Sequence, residues 1–262
     1  MKARFGVRRR TALAVTAVAA SVVSVVPVPA TADAAGPPAS PDHWGVIARD
    51  TIGSPVADLR PGPFGSFGLP AAAARPPYGR GSLGISVADR ATSLTPPSEA
   101  VHFGNETDFY GIPVLGLRQV GFHVFQTGEN ISYGGPGNMP NIRFEIDPNL
   151  AAARATTYSS MVWNPPPSPV VDQWSPYLDA TRTGTWYLTG SAGAAAKCTV
   201  DHPCGFRALL AALNDGGAPP VVYTAGVSKG RDYMWNGAVD GLRLNDVVYD
   251  FEPDGVQTHR AG

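Results

Sequence analysis

Apolar and polar positions alternate with a period of two in short segments that begin near Trp44. Successive side chains of a strand point to opposite faces, so this period predicts strands with one buried face. In the clearest segment, Ile142, Phe144 and Ile146 share one face and charged residues occupy the other. Turn-forming residues bound each segment. Ten strands are predicted: His43–Ala48, Leu83–Asp89, Glu99–Phe103, Gly116–Thr127, Asn141–Asp147, Thr157–Val162, Thr185–Thr189, Pro220–Val227, Ala238–Leu244 and Val247–Glu252.

One short segment has helical spacing instead. Between Phe206 and Leu213 the apolar residues recur at three- and four-residue intervals, and the run Asn214–Gly217 ends the predicted helix. Asn245-Asp246 separates two alternating runs and predicts a hairpin. The stretches Gly53–Gly81 and Asn164–Pro169 are predicted to be long loops. The pattern as a whole predicts an all-β sandwich with one short helix.

The first 34 residues have the pattern of a secretory leader. Five basic residues between Lys2 and Arg10 precede the apolar run Thr11–Val26, prolines close that run, and Ala30–Ala34 offers small residues for cleavage. The run is short for a membrane span. We therefore predict a signal peptide over residues 1–34, a single β-sandwich domain over 35–262 with an ordered core over 42–255, and a secreted protein without a stable membrane anchor.

Charge and cysteine content limit the partners and sites that this chain can have. The leader holds five of the 20 basic and one of the 21 acidic residues, so 15 basic and 20 acidic residues remain. An acidic domain argues against nucleic acid as a partner, because that ligand needs a basic surface. Cys198 and Cys204 predict a disulfide in an exported chain. A metal site with His202 is the alternative, but these residues fall short of tetrahedral ligation.

Five segments of the predicted domain carry a family resemblance: Gly81–Leu83, Gly104–Gly111, Ile142–Pro148, Ala238–Leu242 and Tyr249–Pro253. They resemble a group of actinobacterial secreted proteins of unassigned function. That resemblance implies a jelly-roll sandwich of the concanavalin or laminin-G type. It implies no activity and no catalytic residue.

Glu145-Ile146-Asp147 resembles the core of the signature of laminarinase-type glycoside hydrolases. That chemistry needs a further acid two or three residues later, because retaining hydrolysis uses two carboxyl groups about 5–5.5 Å apart. Pro148–Leu150 stands there instead. Glu145 and Asp147 either pair with Arg143 on a solvated sheet face or form a non-catalytic sugar-binding face.

Two glycine-containing motifs match known signatures formally. Gly226-x-Ser228-x-Gly230 has the form of a hydrolase nucleophile motif, and Asp240, Asp250 and His259 follow it in order. No helical period follows the serine, so we expect a glycine-rich turn between strands, and His259 near a frayed end. The run Gly79–Gly84 matches a dinucleotide fingerprint but precedes a strand, so a turn is expected there as well.

Oxygen-bearing and aromatic side chains supply further candidates. Asn105, Glu106 and Asp108 could ligate a structural calcium ion. The alternative is an Asx turn that needs no metal. The sequence indicates no other cofactor. Exposed aromatic faces stack on sugar rings. From a larger set of aromatic residues we select as candidates Trp163, Trp186 and Trp235.

The sequence favours a secreted, non-enzymatic β-sandwich that binds extracellular polysaccharide or another cell-surface polymer, or that has a structural extracellular role. The alternative is a secreted glycoside hydrolase or polysaccharide lyase of jelly-roll type whose carboxylates come together from separate strands. Candidates for that alternative are Glu145, Asp147, Asp240, Asp250 and Glu252. Two carboxyl groups that face each other in an aromatic cleft would favour the enzyme.

Overall fold

The alternating segments form two antiparallel sheets. A computed structural model describes residues 43–89, 99–167 and 170–262, and each predicted strand has a counterpart there. Asn141–Asp147 and Val247–Glu252 have the predicted bounds. The strands of the described residues are β1 (Trp44–Val46), β2 (Val56–Pro61), β3 (Gly81–Val87), β4 (Val101–Asn105), β5 (Val120–Gln126), β6 (Asn141–Asp147), β7 (Ser159–Asn164), β8 (Leu178–Asp179), β9 (Thr185–Leu188), β10 (Val221–Lys229), β11 (Trp235–Leu244), β12 (Val247–Glu252) and β13 (Gly255–Arg260).

The first sheet has six strands in the order β1-β4-β10-β6-β7-β9. Its centre is the β6–β10 pair, in which Phe144 lies opposite Ala225 and Glu145 lies opposite Thr224. The alternation of β6 places Ile142, Phe144 and Ile146 in the core. The charged residues of β6 consequently point to the outer face of this sheet.

The second sheet is built around β11. This long strand pairs with β5 along one edge, and along the other edge it pairs first with β3 and then with β12. The change of partner falls at Asp240-Gly241, where Gly241 has φ +61°. The two sheets enclose one hydrophobic core, so the predicted β-sandwich is confirmed.

The tryptophans help to fill that core. Trp163, Trp186 and Trp235 are fully buried. The indole N–H of Trp163 donates to the carbonyl of Thr183 at 2.8 Å, and that of Trp186 donates to the carbonyl of Ala180 at 2.7 Å. A buried indole needs such a partner, so these two rings are fixed as packing elements.

The predicted disulfide joins Cys198 to Cys204, with their Cα atoms 5.4 Å apart. It lies between helices α3 (Gly190–Ala196) and α4 (Phe206–Leu213). Backbone bonds hold both ends of the small loop against β9, since the amides of Leu188 and Trp186 donate to the carbonyls of Cys198 and Cys204. The disulfide and the helix α4 are therefore confirmed, and the metal alternative with His202 is wrong.

Several predictions require correction. The stretch Gly53–Gly81 contains β2 and the short helix α1 (Ala71–Ala74), and α2 (Gly128–Gly134) was not expected, so the fold has more than one helix. The chain beyond residue 255 forms β13, which pairs with β12 along its length, so His259 is not in a frayed end. The predicted hairpin at Asn245-Asp246 is confirmed.

The predicted leader lies outside the described residues. Within the part of the chain that the structure describes, no helix has the length and apolar content that a bilayer span requires.

Candidate functional site

Glu145 is the centre of a polar network on the outer face of the six-stranded sheet. Its side chain is 2% exposed. One carboxylate oxygen accepts the hydroxyl of Tyr158 at 2.7 Å and contacts Arg143 at 3.3 Å. The other accepts the hydroxyl of Thr224 at 3.2 Å and contacts the guanidinium of Arg49. Both oxygens are thus engaged, and a buried charge in this setting depends on its partners.

A second layer of the network lies beside Glu145. Asp50, in the short 3-10 turn after β1, binds Arg143 at 2.9 Å and the Nδ1 atom of His102 at 3.1 Å. Burial alone would raise the pKa of Asp50, but the hydrogen bond from His102 and the charge of Arg143 outweigh it and hold that pKa well below its usual range. Asp50 is therefore an ionised partner of Arg143.

His102 is a buried, neutral imidazole. Burial lowers its pKa despite the bond to Asp50. Its Nε2 atom has no hydrogen-bond partner among the described residues and faces the backbone of two glycines. A Cβ atom would lie 2.8 Å from Nε2 at Gly226 and 3.2 Å from it at Gly104. A Cβ atom would lie still closer to the neighbouring backbone, against the Phe103 carbonyl at Gly226 and 2.8 Å from the Ala225 carbonyl at Gly104, so both strand contacts and the imidazole favour glycine.

Asp50, His102 and Glu145 also have the composition of a metal-ligand set. One donor atom from each lies within 4.8 Å of the others. Arg49 and Arg143 contact the same carboxylates, so two guanidinium groups already supply the positive charge that a cation would bring. We therefore assign the cluster to an ion-pair network.

A β-bulge adds an aromatic ring to this face. The register between β10 and β6 shifts between Val222 and Thr224, which leaves Tyr223 as the extra residue. A bulge breaks the alternation, so Tyr223 joins Thr224 on the outer face. The Tyr223 hydroxyl lies 3.1 Å from a carboxylate oxygen of Asp147. The Tyr223 ring stacks on the ring of Tyr110 with centroids 5.6 Å apart.

Three tyrosines lie on this outer face, the exposed Tyr110 and Tyr158 and the half-buried Tyr223, and we call them the tyrosine face. Tyr110 is 71% exposed and Tyr158 is 48% exposed. The Tyr223 hydroxyl lies 3.3 Å from the carbonyl of Thr157, the residue before Tyr158, which brings the rings to one place. Burial and the bonds to Glu145 and Asp147 raise the pKa values of Tyr158 and Tyr223, so both phenols stay protonated and donate.

The structure brings three predicted candidates together and removes three others. Arg143, Glu145 and Asp147 lie on the outer face beside the tyrosine face, as the alternation predicted. Trp163, Trp186 and Trp235 are in the core, so they present no surface to a ligand and are withdrawn as stacking residues. Their size makes burial more favourable than exposure.

Asn105, Glu106 and Asp108 form a turn that closes through hydrogen bonds. The Asn105 side-chain oxygen accepts the amides of Thr107 and Asp108, both at 2.9 Å, which is the Asx-turn alternative. Asp108 also accepts a bond from the Asn105 amide at 2.8 Å. Glu106 points elsewhere and binds Arg49. The oxygens of this set are thus held by protein groups, and they do not converge on one point.

The hydrolase motif also has a structural explanation. Gly226 and Ser228 lie inside β10, which ends at Lys229. The glycine-rich turn predicted for this motif is therefore wrong for every residue up to Lys229. Ser228 is in the first sheet, whereas Asp240 and Asp250 are in the second. Ser228 lies opposite His102 in the β4–β10 pair, but the imidazole leans over Gly226. Gly226 therefore leaves room for the imidazole of His102, and the motif does not form a nucleophile elbow.

The remaining carboxylates of the enzyme alternative stabilise the second sheet. Asp240 accepts the amides of Gly241, Phe251 and Tyr78, which closes the point where β11 changes partner. Glu252 accepts the amides of Arg80 and Gly81. Asp240 and Glu252 thus satisfy backbone donors, whereas Asp250 contacts the imidazole of His259 at 2.9 Å. All three lie on a different sheet from Glu145.

Sequence reasoning missed Arg49, Asp50, His102, Tyr158 and Tyr223. The run of five residues without alternation at 221–225 signals the bulge that exposes Tyr223. The other four come from separate elements, and only the fold brings them together.

Comparison of the chain with known proteins finds no match. No protein-family model matches the chain, and neither a curated protein nor a solved structure does.

Proposed function

We propose that this chain is a secreted, non-catalytic β-sandwich protein that binds extracellular polysaccharide through the tyrosine face. The observation that carries the proposal is the placement of three tyrosines on one sheet face, two of them exposed and two with hydroxyls anchored by the carboxylates of β6. Sugar rings present flat C–H surfaces that stack on such rings, with polar groups at the rim to bind hydroxyls.

The rings of the tyrosine face are held before a ligand arrives. Tyr158 is bonded to Glu145, and Tyr223 is bonded to Asp147 and stacked on Tyr110. A side chain that is already ordered loses little conformational entropy when a ligand binds. This arrangement supports a binding role.

The state of the carboxylates supports a non-catalytic role. Both oxygens of Glu145 are engaged by protein groups, and its side chain is nearly inaccessible. Asp147 accepts the amide of Asn149 at 3.1 Å and the Tyr223 hydroxyl. A glycosidase needs one free carboxyl group to protonate the leaving oxygen, and Glu145 has no accessible oxygen to do so.

Export is part of the proposal. The predicted leader and the disulfide support an extracellular location, since disulfides persist in oxidising compartments. The jelly-roll, concanavalin-like classification and the actinobacterial relationship likewise remain proposals that rest on the sequence resemblance.

A binding screen with matched variants tests the proposed function. Purified protein is titrated calorimetrically with soluble oligosaccharides, and Tyr110→Ala is compared with Tyr233→Ala. Tyr233 is also exposed, but it follows the opposite end of β10 from Tyr223. Loss of one stacking ring should weaken binding about tenfold in Tyr110→Ala and leave the control unchanged. Equal binding by both variants, or no binding to any polysaccharide class, contradicts the proposal.

A further inference from the structure

The groups around the tyrosine face have an excess of negative charge. Four carboxylates contact this face or its network: Asp50, Glu106, Glu145 and Asp147. Two guanidinium groups, those of Arg49 and Arg143, oppose them. His102 is neutral because burial lowers its pKa. By formal charge, this set of groups therefore has more carboxylates than guanidinium groups.

The accessible part of that charge flanks the stacked tyrosine pair. Asp147 lies under the Tyr223 hydroxyl, and its oxygens each accept one protein hydrogen bond. A carboxylate oxygen has two lone pairs, so each can accept a further donor from a ligand. Glu106 lies four residues before Tyr110, and its side chain is 50% exposed. The inner carboxylates, Asp50 and Glu145, are paired with the two arginines. They contribute mainly to the electrostatic potential at this face.

Resting on the proposed function, we propose that the tyrosine face recognises a cationic polysaccharide, one whose sugars carry free amino groups. An ammonium group beside a stacked sugar would meet Asp147 under the Tyr223 hydroxyl. Glu106 would add to the attraction at longer range, since it is paired with the half-exposed Arg49. The phenol rings add a second attraction, because a cation near an aromatic face is stabilised by the ring quadrupole.

Charge complementarity also discriminates among polysaccharides. A polymer of uronic or sulfated sugars would place anions against this set of carboxylates, and like charges repel. A neutral polymer could stack on the rings but would gain nothing from the carboxylates. Free-amine glucosamine oligomers and their fully N-acetylated counterparts of equal length are therefore the matched probes, because they differ only in the group that carries the charge.

The experiment measures the affinity of the purified protein for both oligomers at about pH 5.5, where the free amine is protonated. We expect the free-amine oligomer to bind about tenfold more tightly than the acetylated one. Raising the salt concentration should reduce this preference, since screening weakens exposed charge pairs. Asp147→Asn should reduce this preference to about threefold or less. The ratio of the two affinities is the readout, because Asp147 also contacts the Tyr223 hydroxyl and its loss can weaken binding of both oligomers.

Two controls keep the result interpretable. Glu106→Gln tests a half-exposed carboxylate whose loss should not affect folding, and Asp254→Asn removes an exposed acid from the β12–β13 hairpin of the other sheet. Glu106→Gln should reduce the preference and Asp254→Asn should not. Equal affinity for both oligomers overturns the cationic inference and leaves the proposed function intact. Failure of every oligosaccharide to bind overturns the proposed function, and the inference with it.

Discussion

The hydroxyl of Tyr223 lies 3.1 Å from a carboxylate oxygen of Asp147, and this contact joins a bulge in β10 to the outward row of β6. The bulge exposes the ring, the carboxylate fixes its orientation, and the ring stacks on Tyr110. A local irregularity in one strand and a polar residue on the next thus create the largest aromatic feature of this face.

Tyr223→Phe tests the contribution of that contact. The variant keeps the ring but loses the hydrogen bond, so it should lose about 1 kcal/mol of unfolding free energy. Oligosaccharide affinity should fall about two- to fivefold, because the ring is less well oriented. Urea unfolding and calorimetry measure the two effects. Unchanged affinity in a folded Tyr223→Phe protein would show that the orientation of this ring does not matter.

Glu145→Gln tests the buried network. The substitution removes the buried charge that Arg49 and Arg143 share, so the unfolding free energy should fall by about 2–4 kcal/mol. Glu106→Gln is the matched control, since an exposed pair contributes less than about 1 kcal/mol. Chemical denaturation measures the unfolding free energy of both variants. Similar losses in the two would contradict the assignment of Glu145 as the centre of the polar network.

The same variant separates binding from catalysis. Any polysaccharide-degrading activity of a preparation should be unchanged by Glu145→Gln, because Glu145 has no accessible oxygen. Purified protein that cleaves a β-glucan and loses that activity in a folded Glu145→Gln variant would place the chain among the glycosidases.

Asp240 makes stability depend on pH. Burial and the nearby charge of Asp250 raise the pKa of Asp240 to about 7. The folded state then holds this proton more tightly than the unfolded state, so the contribution of Asp240 to stability falls as pH rises. Between about pH 6.5 and 8 the loss should be about 1 kcal/mol.

Burial also lowers the pKa of His102 and His123, so their contributions to stability are lost as pH falls below about 6.5. Burial raises the pKa of Asp250 and lowers that of Lys229, so the assignment to Asp240 depends on a comparison with a variant. Asp240→Asn should flatten the decrease, which denaturant titrations at the two pH values would detect. An equal slope in the variant and the wild type would assign the pH dependence to other groups.

The disulfide should stabilise its own loop and contribute only a small part of the stability of the domain. A closed loop of about seven residues contributes roughly 2 kcal/mol by loop entropy, which is a small part of the stability that a core of this size can provide. Replacing both Cys198 and Cys204 with serine should lower the unfolding free energy by about that amount and preserve the circular dichroism spectrum. Two reactive thiols in the freshly purified protein under denaturing, non-reducing conditions would contradict the bridge.

Strict alternation made much of the fold predictable. β6 has the predicted bounds because Ile142, Phe144 and Ile146 alternate without interruption. β13 was missed because it is an edge strand in which only Val256 is buried, so it shows no apolar period. β2 was missed because it lies in a region rich in glycine and proline.

The site was only partly predictable for two physical reasons. Alternation placed Glu145 and Asp147 on an outer face, but a bulge interrupts alternation, so Tyr223 was not visible as an outward residue. The abundance of aromatic residues makes Trp163, Trp186 and Trp235 stacking candidates in the sequence, whereas their large area makes the core the favourable location. Contacts such as that of Arg49 with Glu145, 96 residues apart, depend on topology.

The measurement that tests the central claim most directly is an NMR titration of protein labelled at its tyrosine rings. On addition of the oligosaccharide that binds, we expect the ring signals of Tyr110, Tyr158 and Tyr223 to shift together and to saturate with one dissociation constant. The exposed rings of Tyr133 and Tyr233 should remain unchanged. Saturable shifts confined to Tyr133 and Tyr233, or no saturable shift of any ring, would contradict the assignment of the tyrosine face as the polysaccharide-binding surface.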